Sequence, residues 1–282
     1  VNAGFAVGHG RSRDHPRCQW TRIISVNKWV LRGGSLWLRW AVDEGISQRI
    51  GAAIPAPEPW VVVATGVFAV LVTVSSLVVM SRSRPSLLWA GYALSTIIHE
   101  TGHALTAIAT GGSVEKIQIT GPGEGSVVPG KKFWPSNVIS AAAGYAMPPL
   151  AGVGAAWLLN RGHAPAVLAI TTAVMAVLLF VGDDITTRLF VLAVGLLPFV
   201  ALLWGTSALQ NFVAYSEAWL LLTNEAGGLL HLIAARKVTP AHNDADLLAR
   251  KTWIPGSVWI VGWATVIIWG LWTGVPLLFS AR

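Results

Sequence analysis

Two histidines and a glutamate stand inside an otherwise apolar stretch, STIIHETGHALTAIATGG, residues 95 to 112. An ionisable side chain near the middle of a membrane helix is disfavoured by roughly 2.5 to 3.5 kcal/mol on insertion scales, so such a group needs compensation. His99 and His103 are four residues apart, and on a helix both imidazoles project from one face, one turn above the other. Glu100 lies beside that face. In the spacing His-Glu-x-x-His, two neutral imidazoles bind zinc and the glutamate acts as general base to a zinc-bound water. Gly102 keeps the helix slim between the ligands. The competing account has both histidines satisfied by neighbouring helices with Glu100 as their partner, which leaves the intramembrane cost without a chemical purpose.

The rest of the chain must supply that membrane. With 54% hydrophobic and only 12% charged residues, and a mean hydropathy of +0.59, it departs from the soluble average of roughly a quarter charged. The expected fold is an all-α polytopic membrane protein of about seven transmembrane helices, at 60 to 80, 86 to 110, 135 to 159, 164 to 182, 188 to 204, 208 to 235 and 253 to 279. Each is near the ~20 residues a crossing requires. Trp60, Trp89, Trp134, Trp157, Trp204 and Trp253 fall at or near the proposed ends, where amphipathic rings prefer the interface.

The formal charge of +7 does not point to nucleic acid, because in a membrane protein basic residues first report orientation. Lys116, Lys131, Lys132, Arg188, Arg236, Lys237, Arg250 and Lys251 group with the N-terminal tail on one face, against Arg82, Arg84, Arg161 and Arg282 on the other. The positive-inside rule then places the N-terminus in the cytoplasm and the histidines toward the cytoplasmic half of their span. Residues 1 to 59 read as a basic, tryptophan-containing tail rather than a folded domain, joined through the proline-punctuated GAAIPAPEP to a membrane domain at 60 to 282. Cys18 is alone, so no intrachain disulfide and no multi-cysteine metal site is available.

With His99, Glu100 and His103 on an intramembrane helix, the chain resembles the site-2 protease family of membrane zinc metallopeptidases. TGGSVEKIQIT followed by GPGEGSVV is similar to the short strand pair after the zinc helix in its small bacterial branch. AAAGYAMPPLAG resembles that branch's third segment, and HNDADLLARKTWIPGSVW its Ser-Asp-Ala segment before the last span. Asn243 stands in place of the serine, and the Leu-Asp-Gly type motif of the better-known members is absent. The resemblance implies a Zn2+-dependent endopeptidase of the bacterial cell membrane. Its substrate would be a membrane protein or peptide, cleaved at or within the bilayer. A non-enzymatic metal-binding or transport protein is the alternative, and Glu100, which a passive zinc site does not need, separates the two.

A catalytic zinc takes three protein ligands and keeps one position open. Asp244 is the expected third ligand, in the loop before the last span on the face toward which the histidines are displaced. The same residues also read as a helix start, with Asn243 as N-cap and acids in the first turn. Glu217 and Glu225 within a span, Asp183, Asp184 and His242 stay open as rivals. Tyr145 is a further candidate, as donor to a developing oxyanion or simply as packing. After the zinc helix, Ile117 and Ile119 alternate with Gln118 and Thr120, and GPGEG turns the chain back, giving a short β-hairpin. Ile117, Gln118 and Ile119 would form an exposed edge on which an extended substrate pairs.

Overall fold

The structure, a computed structural model, describes residues 44–82, 91–121, 123–130, 134–238 and 243–281. The chain divides into two units, Val1–Ser47 and Gln48–Arg282. The second unit carries the fold, and the expected tail lies mostly outside the described residues.

The described elements in chain order are α1 (Glu44–Gly51), α2 (Pro59–Arg82), α3 (Ala93–Ala109), β1 (Val114–Gly121), β2 (Glu124–Pro129), α4 (Trp134–Asn160), α5 (Ala164–Val181), α6 (Ile185–Trp204), α7 (Ser207–Val238), α8 (Asp244–Thr252) and α9 (Gly256–Phe279). Lipid offers no partner to a peptide group, so even β-branched runs such as that of α2 close their hydrogen bonds within a helix. α4, α6 and α9 each run helical through internal prolines, Pro148 and Pro149, Pro198 and Pro276, as spanning helices tolerate. Among the described residues, six helices are long and apolar enough to cross a bilayer: α2, α4, α5, α6, α7 and α9.

The zinc helix is the departure from seven spans. α3 has 17 residues, about 25 Å at 1.5 Å per residue, against about 30 Å of hydrocarbon. Residues 86–90 of the expected span lie outside the described residues. α3 runs antiparallel to α4, since Ser140 meets His103 and Ser136 meets Ala107. It runs in the same sense as α2, which climbs α7 in parallel with Thr73 on Asn224 and Gly227 beside Ser76. Six crossings bring the start of α2 and the end of α9 to one end of the bundle. The backbone of Ile54 donates to Gly162, the Asn211 amide to Pro55, and the Asn160 amide to Ser280 at that end. The segment leading into α2 therefore lies opposite the hairpin, not beside it as a seven-span count required.

α7 is the central element, packed against α2, α3, α4, α5, α6 and α9. Small residues let the helices close on one another, as interfaces in lipid need. A Cβ on Gly102 of α3 would come within 2.7 Å of Met147 on α4, and one on Gly152 of α4 within 2.9 Å of Leu222 on α7.

The hairpin is antiparallel, with Ile117 opposite Val127 and Ile119 opposite Gly125. Ile117 and Ile119 are buried in the apolar core between α3, α5 and α6. Their outward backbone groups are occupied: Asp183 N–H donates to the Ile117 carbonyl, and Ile119 N–H donates to Thr187 Oγ1 at 2.9 Å. Gln118 donates to Asp184. Ile117, Gln118 and Ile119 thus do not present the free edge expected of them, because the start of α6 already pairs with β1. In an antiparallel ladder the groups of opposed residues turn outward together, so Val127 and Gly125 point theirs away on the β2 side. Among the described residues nothing hydrogen-bonds to that side.

α8 is capped as its sequence indicates. Asn243 Oδ1 accepts from Asp246 N–H at 3.0 Å, and Asp246 in turn accepts from Arg236 Nε at 3.0 Å. Asp244, the first residue inside the cap, is held by that turn. Replacing Asn243 by alanine is expected to cost about 1 kcal/mol of α8 stability and to weaken metal binding through Asp244. Hydrogen exchange over 244–252 and zinc titration check the two effects together.

Candidate metal centre

His99 and His103 project from one face of α3, their rings edge to face with centroids 4.8 Å apart. The outer nitrogen of each ring is engaged. Nδ1 of His103 lies 2.7 Å from the Ser140 carbonyl, while Ser140 Oγ donates back to the His103 carbonyl at 2.7 Å. Nδ1 of His99 lies 2.9 Å from Glu225 Oε1. Both Nε2 atoms are thereby turned to the same place, where Asp244 Oδ2 stands 3.5 Å from each.

The three donor atoms lie within 4.8 Å of one another. A tetrahedral zinc with bonds of about 2.0 to 2.1 Å sets its donors about 3.4 Å apart, so the aspartate-to-imidazole distances suit it. Two imidazoles and one carboxylate are also a ligand set for catalytic zinc. Asp244 lies in α8, outside the spanning helices. Burial alone would push its carboxyl up, but hydrogen bonds and charge from His103 and His99 outweigh that and hold it well below the usual carboxylate range.

Glycines make the space. A Cβ on Gly144 of α4 would collide with His103 Nε2 and lie 2.6 Å from His99 Nε2, so only glycine leaves room where the two ligand atoms converge. A Cβ on Gly125 of β2 would lie 2.6 Å from Glu100 Oε1. Glu100 is buried, and its Oε2 has no hydrogen-bond partner among the described residues. An unpaired buried carboxylate oxygen is costly, of order 1 to 3 kcal/mol or more, and is kept where a group must exchange protons with a reactant.

Around these groups is a cavity of about 640 Å³, whose wall includes His99, Glu100, His103, Gly125, Val127 and Asp244. Tyr145 also lines it, its ring edge-on to His99 at 4.6 Å and tilted against Trp263 at 4.7 Å. Trp263 is itself fixed by donating to the Ala142 carbonyl.

Of the rival ligands, Glu217 is buried elsewhere in α7 and accepts from Thr171. Asp183 pairs with Lys116 at 2.8 Å, Asp184 caps α6, and both belong to the hairpin's support. His242 lies outside the described residues. Glu225 reaches the site from behind, at the nitrogen that faces away from Asp244. Residues 243 to 246, read as either cap or ligand, do form the cap through Asn243, and the same turn faces Asp244 to the imidazoles. Sequence reasoning missed the Ser140 carbonyl and the approach of Gly125 to Glu100, since a backbone acceptor and a contact between separate segments leave no mark in a local pattern.

Fold and site together define a membrane zinc metallopeptidase. The chain matches the family described as Peptidase M50B-like over residues 60–274, and it belongs to that family. No curated protein and no solved structure gives a significant match. It is a zinc-dependent intramembrane peptidase, integral to the membrane.

The glycine cradle separates metal binding from turnover. Gly144→Ala is expected to displace both rings and lower zinc affinity at least ~10-fold. Gly125→Ala should leave zinc in place but shift Glu100, lowering turnover about 10²-fold, the usual scale for a 1 Å misplacement. Metal analysis alongside cleavage of a membrane substrate distinguishes the two variants.

Proposed function

We propose that His99, His103 and Asp244 hold the zinc, that Glu100 is the general base and acid, and that a membrane protein or peptide is cleaved while extended along the outer side of β2. The observation that carries this reading is the convergence of His99 Nε2, His103 Nε2 and Asp244 Oδ2 beside the unpartnered Oε2 of Glu100. When bound, zinc polarises the scissile carbonyl and lowers the pKa of a water toward neutrality. Glu100 takes the proton released from that water and delivers it to the leaving amine. Its carboxylate can swing little, because Gly125 leaves it only the width of a missing side chain. Ser140 holds His103 in the tautomer that frees Nε2.

A helical substrate hides its carbonyls in its own hydrogen bonds, so it must unwind before hydrolysis. The outward groups of Gly125 and Val127 offer replacement partners in register. Both residues line the cavity that holds the metal ligands, so a strand added there runs past the zinc. Substrate pairing, expected on Ile117, Gln118 and Ile119, is accordingly assigned to the opposite strand.

The hairpin end of the bundle carries Lys116, Arg236, Arg250 and Lys251, against Arg49 and Arg161 at the other end. By the positive-inside rule we assign the hairpin and the metal centre to the cytoplasmic side of a bacterial cell membrane. Residues 49–59 then fall on the far side, which separates them from the cytoplasmic placement expected for the N-terminus.

Three measurements test these roles. Glu100→Gln should retain zinc and lose at least ~10²-fold in cleavage, because the amide keeps the shape and cannot accept the proton. Undiminished cleavage removes Glu100 from the chemistry. Asp244→Ala should lose far more zinc than Asp246→Ala, and equal losses would leave Asp244 with a capping role alone. Val127→Pro removes an outward donor without touching a bond to β1 and should depress turnover with zinc unchanged, whereas full turnover would move the substrate off the hairpin.

A further inference from the structure

Glu225 is a buried acid on a spanning helix, where its presence is costly by the same measure as that of the histidines. The peptidase chemistry leaves it without a task. Both its oxygens are nonetheless committed: Oε1 stands 2.9 Å from His99 Nδ1, and Oε2 accepts from Ser95 Oγ at 3.0 Å. Ser95 is one turn before His99 on α3, so the helix that carries the imidazole also carries the group that aims the carboxylate at it.

We propose that Glu225 is the positioning residue of His99 and the charge that makes it the stronger of the two imidazole ligands, an assignment that rests on the zinc reading above. A zinc held at His99 Nε2, on the side facing Asp244, leaves the ring proton on Nδ1, where Glu225 accepts it. His103 donates its own Nδ1 proton to a peptide carbonyl, that of Ser140. The two ligands are therefore unlike. An imidazole backed by a carboxylate gains electron density at its free nitrogen, and one backed by a neutral carbonyl gains less. Charge points the same way. Two neutral imidazoles and one carboxylate leave a dication with one uncompensated positive charge, which a nearby buried carboxylate offsets. Glu225 is placed to do so without occupying the open position, since it approaches His99 on the side turned away from Asp244.

The test uses the full chain purified in detergent, with zinc affinity read by competition against a chromophoric chelator and the ligand set read from the visible spectrum of the cobalt-loaded protein. Glu225→Gln keeps the volume and an acceptor oxygen but loses the charge. Zinc affinity is expected to fall 10- to 100-fold, with the cobalt spectrum still that of the wild-type four-coordinate site. A purely structural Glu225 would leave this isosteric variant at wild-type affinity, and that result overturns the proposal. A cobalt spectrum that loses its four-coordinate intensity also overturns it, because Glu225 would then be a ligand itself. Melting of the metal-free proteins shows whether the variant is folded. If it is not, Ser95→Ala decides, with a several-fold loss of zinc affinity expected and unchanged affinity refuting the role. Wild-type protein that binds no zinc at this site would instead overturn the underlying zinc reading.

Discussion

The scarcity of hydrogen-bond partners in lipid governs this molecule. Every polar group that the chemistry places on α3 must find a protein partner, and the surrounding elements are arranged so that it does. His103 is met by a carbonyl of α4, His99 by a carboxylate of α7, and both by Asp244 from α8. Of the α3 side chains, Glu100 keeps an oxygen unpaired among the described residues, and it is the group proposed to exchange a proton. The same constraint shapes the hairpin. A two-stranded sheet beside apolar helices cannot leave both edges bare, and the start of α6 closes one of them through Asp183 and Thr187. The edge left unpaired among the described residues is the one against the metal centre.

The positions of the ligands follow from how the helices cross rather than from any one segment. α3 and α4 approach closely at Gly102 and Gly144, which sets the imidazoles directly against the α4 backbone. α7 then spans the bundle behind them and leads toward the cap at Asn243. α8 starts at a fixed point because Asn243, Asp246 and Arg236 hold its first turn. The ligand geometry is therefore a property of helix packing plus one cap, with no long flexible side chain among the three donors.

Much of this was legible in the residues, and the parts that were not share a cause. The histidine pair is a local feature of period 3.6, and the membrane class, most of the spans and the hairpin are patterns within single segments. Asp244 could be singled out because charge patterning placed it on the histidines' side. The start of α3 was not legible, because Gly91 and Tyr92, inside the expected apolar run, form a turn before Ala93. The topology turns on such a boundary, because each added crossing moves everything before it to the other face. The occupied edge of β1 depends on a contact between Ile119 and Thr187, 68 residues apart, and no local pattern encodes such a pairing. Glu225 was visible as an intramembrane acid, but whether it faced the metal or the back of a ligand is a matter of helix rotation.

Asp244 and the two histidines are separated by some 140 residues of chain, and an ion held by all three adds a tie to the packing of α8 on its neighbours. Metal occupancy stabilises the folded form by about 2.7 kcal/mol when free zinc stands at a hundred times the dissociation constant, and by nothing when zinc is withdrawn. Differences of one to two kilocalories change the cellular abundance of a marginally stable protein several-fold, through proteases that remove what opens. A cell short of zinc would thus lose the enzyme itself as well as its activity, and the supply of one nutrient ion would set how long each copy survives.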